Sequence, residues 1–151
     1  MNRLAIAAAV LIAASLPACS SQSVPDGMPG DAGDDAPFSA IAEDETVRFT
    51  GTEPFWGGQV RGRALTYATP DNPDGADIAV TRFAGRGGVS WSGTLGGERF
   101  VLAVAPGYCS DGMSDRTYPF AATLDAGGEQ RSGCAWSEQR PFSEGGEAAR
   151  P

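Results

Sequence analysis

The chain has 151 residues and sets 11 arginines against 19 Asp and Glu, a formal net charge of −8, with no lysine and no histidine. Without histidine there is no Ser-His-Asp or Cys-His nucleophile, no histidine zinc site and no ordinary neutral-pH proton shuttle; without lysine, Schiff bases, Ser-Lys dyads and Walker-type phosphate loops fall as well. An acidic chain without a basic patch also argues against a nucleic-acid partner.

Residues 1–18 place Arg3 ahead of an apolar run from Leu4 to Ala14, followed by Leu16-Pro17-Ala18-Cys19. The run is about half the length needed to span a bilayer. With the small residue before Cys19, it resembles the export signal of bacterial lipoprotein precursors. That resemblance implies cleavage before Cys19, a diacylglycerol on its sulfur and acylation of the new amino group, so the protein would be held to the membrane by two or three chains. Ser20 stands where enteric inner-membrane lipoproteins carry Asp, which favours the outer membrane and a periplasm-facing location.

The next segment, 19–45, holds seven acidic residues (Asp26, Asp31, Asp34, Asp35, Glu43, Asp44, Glu45), three prolines and no basic residue. It carries few large apolar side chains, and this composition predicts an extended, disordered tether. One domain follows, 46–142, and residues 143–151 read as a short disordered tail.

Within the domain the apolar residues follow the two-residue period of strands. Val47 and Phe49 alternate with Thr46, Arg48 and Thr50; Val89, Trp91 and Leu95 alternate with Ser90, Ser92 and Thr94. Similar runs surround Val60, Leu65 to Tyr67, Ile78 to Phe83, Phe100 to Val104, Tyr118 to Leu124, and Ala135 to Trp136. Gly57-Gly58, Gly87-Gly88, Gly96-Gly97 and Gly127-Gly128 supply hairpin turns between them, and Pro70 to Gly75 reads as a loop. The expected fold is all-β: a small antiparallel β-barrel of seven to eight strands, with a two-sheet β-sandwich as the alternative, because so many short strands must close or stack to protect their edges.

If Cys19 is lipidated, Cys109 and Cys134 remain as a pair in an oxidising compartment, and a single disulfide is the simplest expectation. There is no Cys-x-x-Cys and no histidine to suggest redox or metal work. The bridge would close a loop of about 26 residues and contribute roughly 3 kcal/mol.

Two segments carry the unusual chemistry: Gly51-Thr52-Glu53-Pro54-Phe55-Trp56-Gly57, and Cys109-Ser110-Asp111-Gly112-Met113-Ser114-Asp115-Arg116-Thr117-Tyr118-Pro119, completed by Gly133-Cys134. Asp111-Gly112 reads first as a turn in which Asp side chains cap backbone N–H groups and Arg116 offsets their charge. Two other readings stay open. Carboxylates around the loop could bind Ca²⁺, although the spacing of known calcium loops is missing, and Asp111, Asp115 or Glu53 could act as an acid and base pair on a glycoside. Phe55 and Trp56 read first as a plug in one barrel end, the indole N–H donating to a rim carbonyl. The sharper alternative is an apolar platform of Trp56 and Tyr108 at a barrel mouth, with Glu53 orienting a ligand.

Taken together, the two segments resemble an uncharacterised family of bacterial envelope proteins with a Gly-x-Glu-Pro-(Phe or Gly)-Trp segment, a Cys-x-Asp-Gly-Met-Ser motif and a late Gly-Cys. The resemblance implies an envelope location and a β-rich domain bridged between Cys109 and Cys134; it brings no established activity. Membrane-bound inhibitors of c-type lysozyme are similar in architecture, and only Gly107-Tyr108 and Ser114-Asp115-Arg116 approach their inhibitory loop. The function expected on these grounds is a non-catalytic binding or interaction module, held to the membrane through Cys19, with a protein or glycan partner in the envelope. The binding candidates are Glu53, Phe55, Trp56, Tyr108, Asp111, Ser114, Asp115 and Arg116. Neither a cofactor nor a metal is expected. The alternatives are a structural or stress-related envelope protein without ligand, a lysozyme inhibitor, and a carboxylate-dependent hydrolase.

Overall fold

The structure, a computed structural model, describes residues 36–145. The export signal, Cys19, most of the tether and the end of the tail lie outside them. The described regular structure is all strand: β1 (Val47–Thr52), β2 (Phe55–Arg61), β3 (Ala64–Thr69), β4 (Asn72–Ala79), β5 (Thr81–Ala84), β6 (Val89–Leu95), β7 (Glu98–Cys109), β8 (Tyr118–Ala126) and β9 (Glu129–Ser137). They form one antiparallel sheet in the order β4-β3-β2-β1-β9-β8-β7-β6-β5. Consecutive strands are therefore neighbours throughout, except that β4 and β5 occupy opposite edges.

Val80 alone separates those two edge strands, so the chain itself carries the sheet from one edge to the other and almost closes it into a barrel. At the seam, Gly93 of β6 lies against β4: a Cβ there would fall 2.6 Å from the Ala79 carbonyl oxygen and 2.9 Å from Ile78. The sheet is continuous, as the barrel reading expects, and does not divide into a sandwich. Nine strands are present rather than seven or eight because the run from Ile78 to Phe83, expected as one strand, is split at Val80 between the two edges.

The alternation decides what fills the barrel. Val47 and Phe49 of β1, Leu102 and Val104 of β7, and Phe120, Ala122 and Leu124 of β8 all point into one cluster with Trp91, Phe100 and Leu65. Each such side chain removed from water contributes about 1.5–3 kcal/mol before the entropy of ordering is charged. Trp56 joins them, 3% exposed. Its ring lies close against two glycines, because a Cβ on Gly51 would come 2.0 Å from its Nε1 and one on Gly133 would come 2.8 Å from its Cζ2. At the same level Tyr67 meets the edge of Phe100 at 5.3 Å, and its hydroxyl accepts a hydrogen bond from Arg131 Nη1 at 2.9 Å. Burial raises the Tyr67 pKa, partly offset by the Arg131 charge.

Three sequence expectations change here. Gly57-Gly58 is no hairpin turn; it lies inside β2, where a Cβ on Gly58 would come 2.9 Å from the Phe49 ring. Pro70 to Gly75 contracts to a turn at Pro70-Asp71, and Asn72 already begins β4. An edge strand tolerates Pro73, whose missing N–H has no ladder to break on the open side. The domain is also longer than 46–142. Ile41, 1% exposed, packs into the barrel cluster, the Phe38 N–H donates to the Gly85 carbonyl at 2.7 Å, and Arg82 Nη2 donates to the Ile41 carbonyl at 2.6 Å. Glu45 is buried, accepting the Ala42 N–H at 3.0 Å. The high charge of Glu43-Asp44-Glu45 hides one apolar plug. At the other end Ser143 exchanges two backbone hydrogen bonds of 2.9 Å with Thr117, so the expected tail is part of the fold there.

Candidate functional site

Beyond Ala105, β7 leaves regular register: the pairing with β8 shifts between Pro106 and Cys109. Pro106 has no N–H to offer the ladder, and the chain departs as a flap, Gly107–Thr117. Cys109 is bonded to Cys134, Cα atoms 5.6 Å apart, which bridges the expected pair across the intervening strand. Cys134 sits next to the core residue Ala135, so alternation turns it outward, yet it is only 1% exposed. The flap is what covers it.

The flap is held from below by rings and from within by one carboxylate. Tyr118, Trp136 and Phe142 form a triangle with centroids 5.4, 5.5 and 5.8 Å apart. The Arg116 guanidinium stacks over Phe142 at 4.4 Å and pairs with Glu144 at 3.3 Å. Asp111 gathers the loop around itself: one oxygen accepts the backbone N–H groups of Met113 (3.0 Å) and Ser114 (2.8 Å), the other the hydroxyls of Ser114 (2.8 Å) and Tyr118 (3.0 Å). These donors, the Met113 N–H foremost, hold its pKa down from 3.8 to about 2, while burial and the Asp111 bond raise that of Tyr118. Gly112, with φ +70°, supplies the left-handed residue that lets the loop turn back onto the carboxylate. The turn reading of Asp111-Gly112 is therefore what the residues form.

The two sequence segments meet at this flap. Thr52, the last residue of β1, donates its hydroxyl to the Asp111 carbonyl at 3.3 Å. The next two residues, Glu53 and Pro54, make the turn to β2 through a cis peptide bond, with Pro54 in the third position of the turn. Phe55 then projects outward, 53% exposed, and Trp56 inward. Trp56 is thus a plug and takes no part in an outer surface. Its Nε1 has no hydrogen-bond partner, so the expected donation to a rim carbonyl is not made; the ring occupies space that only glycine at 51 and 133 leaves open.

A cleft of about 450 Å³ opens on the flap, lined by Tyr108, Ser110, Ser114, Asp115, Arg116, Thr117 and Gly145. Tyr108, Ser114, Asp115 and Arg116, four of the sequence candidates, share it. Tyr108 is 72% exposed and Met113 69%, large apolar groups left in water. Glu53 and Phe55 lie on the adjoining turn, and Asp111 lies behind the cleft as its internal brace. Sequence reasoning missed Thr52, Ser110, Thr117, Phe142, Glu144 and Gly145 as parts of the site. Phe142 carried a signal, since an aromatic residue after the last strand must find a surface to cover; Glu144 and Gly145 stood in a polar tail and carried none. Among the described residues no three His, Cys, Asp or Glu side chains are grouped to hold a metal ion.

The chain matches no family model, no curated protein sequence and no solved structure.

Proposed function

We propose that the protein is a lipid-anchored envelope protein whose flap is a non-catalytic binding surface, tethered to the membrane through Cys19. The observation that carries this reading is the cleft between Tyr108 and Asp115, on a loop braced by a disulfide, a ring triangle and a carboxylate hub. Pre-organised surfaces of this kind lose little entropy when a partner docks. The barrel interior is packed with Trp91, Phe100 and Phe120, which favours recognition on the outside over a ligand within.

A hydrolase reading has weaker support. Asp111 is ionised above about pH 2 and its oxygens already accept four hydrogen bonds, so it is poorly suited to donate a proton at neutral pH. A ligand-free structural role leaves the exposure of Tyr108 and Met113 without a purpose. A lysozyme-inhibitor reading gains one observation: Tyr108 and Ser114-Asp115-Arg116, the only residues near that pattern, line one cleft.

The first test adds the full-length protein, purified from membranes, to c-type lysozyme clearing a bacterial cell-wall suspension, and in parallel to insoluble cell-wall glycan. Stoichiometric inhibition or retention on the glycan, lost in a Tyr108→Ala Asp115→Asn double variant, supports a binding module. If neither probe is engaged and the double variant changes no envelope phenotype that the gene deletion shows, the structural role is the better account. Release of a Cys19→Ala variant from membranes checks the anchor.

A further inference from the structure

We infer that the flap docks a basic protein, seating an arginine side chain of that partner between the Tyr108 ring and the Asp115 carboxylate; this rests on the binding-module reading and names its partner chemistry. Tyr108 is 72% exposed and Met113 69%, and Phe55 on the adjoining turn is 53% exposed. Tyr, Phe and Met are side chains enriched at protein interfaces. Their rigidity strengthens the point: the disulfide to Cys134, the Asp111 hub and the Thr52 hydroxyl fix the segments that carry them.

Charge selects the occupant. Asp115 and Arg116 line the cleft beside Tyr108, with Glu144 paired to Arg116 and Glu53 on the adjoining turn. The Arg116 guanidinium is already engaged, stacked on Phe142 and paired with Glu144. With Arg116 paired to Glu144, the Asp115 carboxylate is left to set the charge of the cleft, which favours a cationic occupant over an anionic one. An arginine suits both groups of the cleft: its plane stacks on Tyr108 and its fork meets Asp115. A neutral glycan would use the Tyr108 face and leave the charge unused.

The test places the full-length chain in neutral-lipid nanodiscs and titrates it with labelled nona-arginine, using nona-glutamate and empty nanodiscs as blanks. Binding of nona-arginine alone is expected, weakened about fivefold by Tyr108→Ala and by Asp115→Asn, and falling with added salt. Both residues are exposed on the flap, so these variants keep the fold. Asp71→Asn and Asp74→Asn, acidic positions on the β3–β4 turn and the β4 edge, should change affinity less than about twofold. Binding that Tyr108→Ala leaves unchanged, or that Asp71→Asn weakens as much as Asp115→Asn, overturns the proposal, since it would reflect overall charge only. Retention on cell-wall glycan through Tyr108 without arginine binding overturns it and leaves the binding-module reading standing. Silence with nona-arginine, glycan and lysozyme together overturns both.

Discussion

Inside the barrel, Trp91, Phe100 and Leu102 are enclosed on every side, and the fit is made by shape at the expense of polar groups: the Nε1 atoms of Trp56 and Trp91 are buried without a partner. Under the flap the opposite arrangement holds. Tyr118, Trp136 and Phe142 pack on one another, Arg116 lies over Phe142, and hydrogen bonds, a disulfide and the two backbone hydrogen bonds between Thr117 and Ser143 hold the flap beside them. Each orphaned indole N–H costs about 1–3 kcal/mol, which a large apolar core absorbs and a three-ring cluster could not. The barrel is the part that folds the chain, and the flap is a second layer built on it from specific bonds. A surface for recognition belongs on such a layer, because its residues can change without emptying the core.

That division predicts a graded series. Trp91→Ala should have the largest effect, about 3–5 kcal/mol lost in urea unfolding, with both layers melting together because the outer one rests on the inner. Cys134→Ser should cost about 3 kcal/mol by the loop-closure estimate. Its signature is local: with fluorinated tryptophan, the Trp136 resonance should move toward that of exposed indole while those of Trp56 and Trp91 hold still. If all three move, the layers are one cooperative unit and the division fails.

Asp111→Asn is expected to cost about 1 kcal/mol, the size of a modest hydrogen-bonding loss at a partly exposed site. It also carries a pH test. The folded pKa of about 2 lies below the ordinary 3.8, so the stabilisation is fully present above pH 3.8 and is lost as pH falls through that value toward 2. The urea midpoint of the parent chain should decline across this window, and the Asn variant should decline less. Arg48→Ala should change stability by under about 0.5 kcal/mol, because its 3.7 Å contact with Glu138 is between exposed groups.

The barrel was legible in the sequence because strand periodicity is a local property: Val47 and Phe49, or Phe120, Ala122 and Leu124, declare their inward face without knowledge of any partner. The Gly96-Gly97 and Gly127-Gly128 hairpins were legible for the same reason, with every φ between +61° and +87°. Gly57-Gly58 looks identical in sequence and differs because the Thr66 carbonyl and the Phe49 ring, from the strands on either side, press on Gly58. The flap residues were legible as a motif, yet what they do depends on contacts between distant parts of the chain: Thr52 reaching Asp111, Phe142 returning to Tyr118, Glu144 to Arg116. Ile41 was obscured by its acidic neighbours, since composition averages over a segment while one plug needs a single side chain.

The pairing of β1 with both β2 and β9 has a mechanical meaning. The first strand of the barrel is bound along both sides, Val47 to Thr50 facing Ser137 to Cys134 on one and Val60 to Gly57 on the other. A pull on the N-terminal segment along the strand therefore loads two ladders in shear, all rungs at once, where an edge strand would peel one rung at a time. The weak seam between β4 and β6 lies far along the chain from that line of force. Tension entering through the N-terminus first loads the bonds of Phe38 and Ile41 to Gly85 and Arg82, and behind them the doubly bonded strand β1.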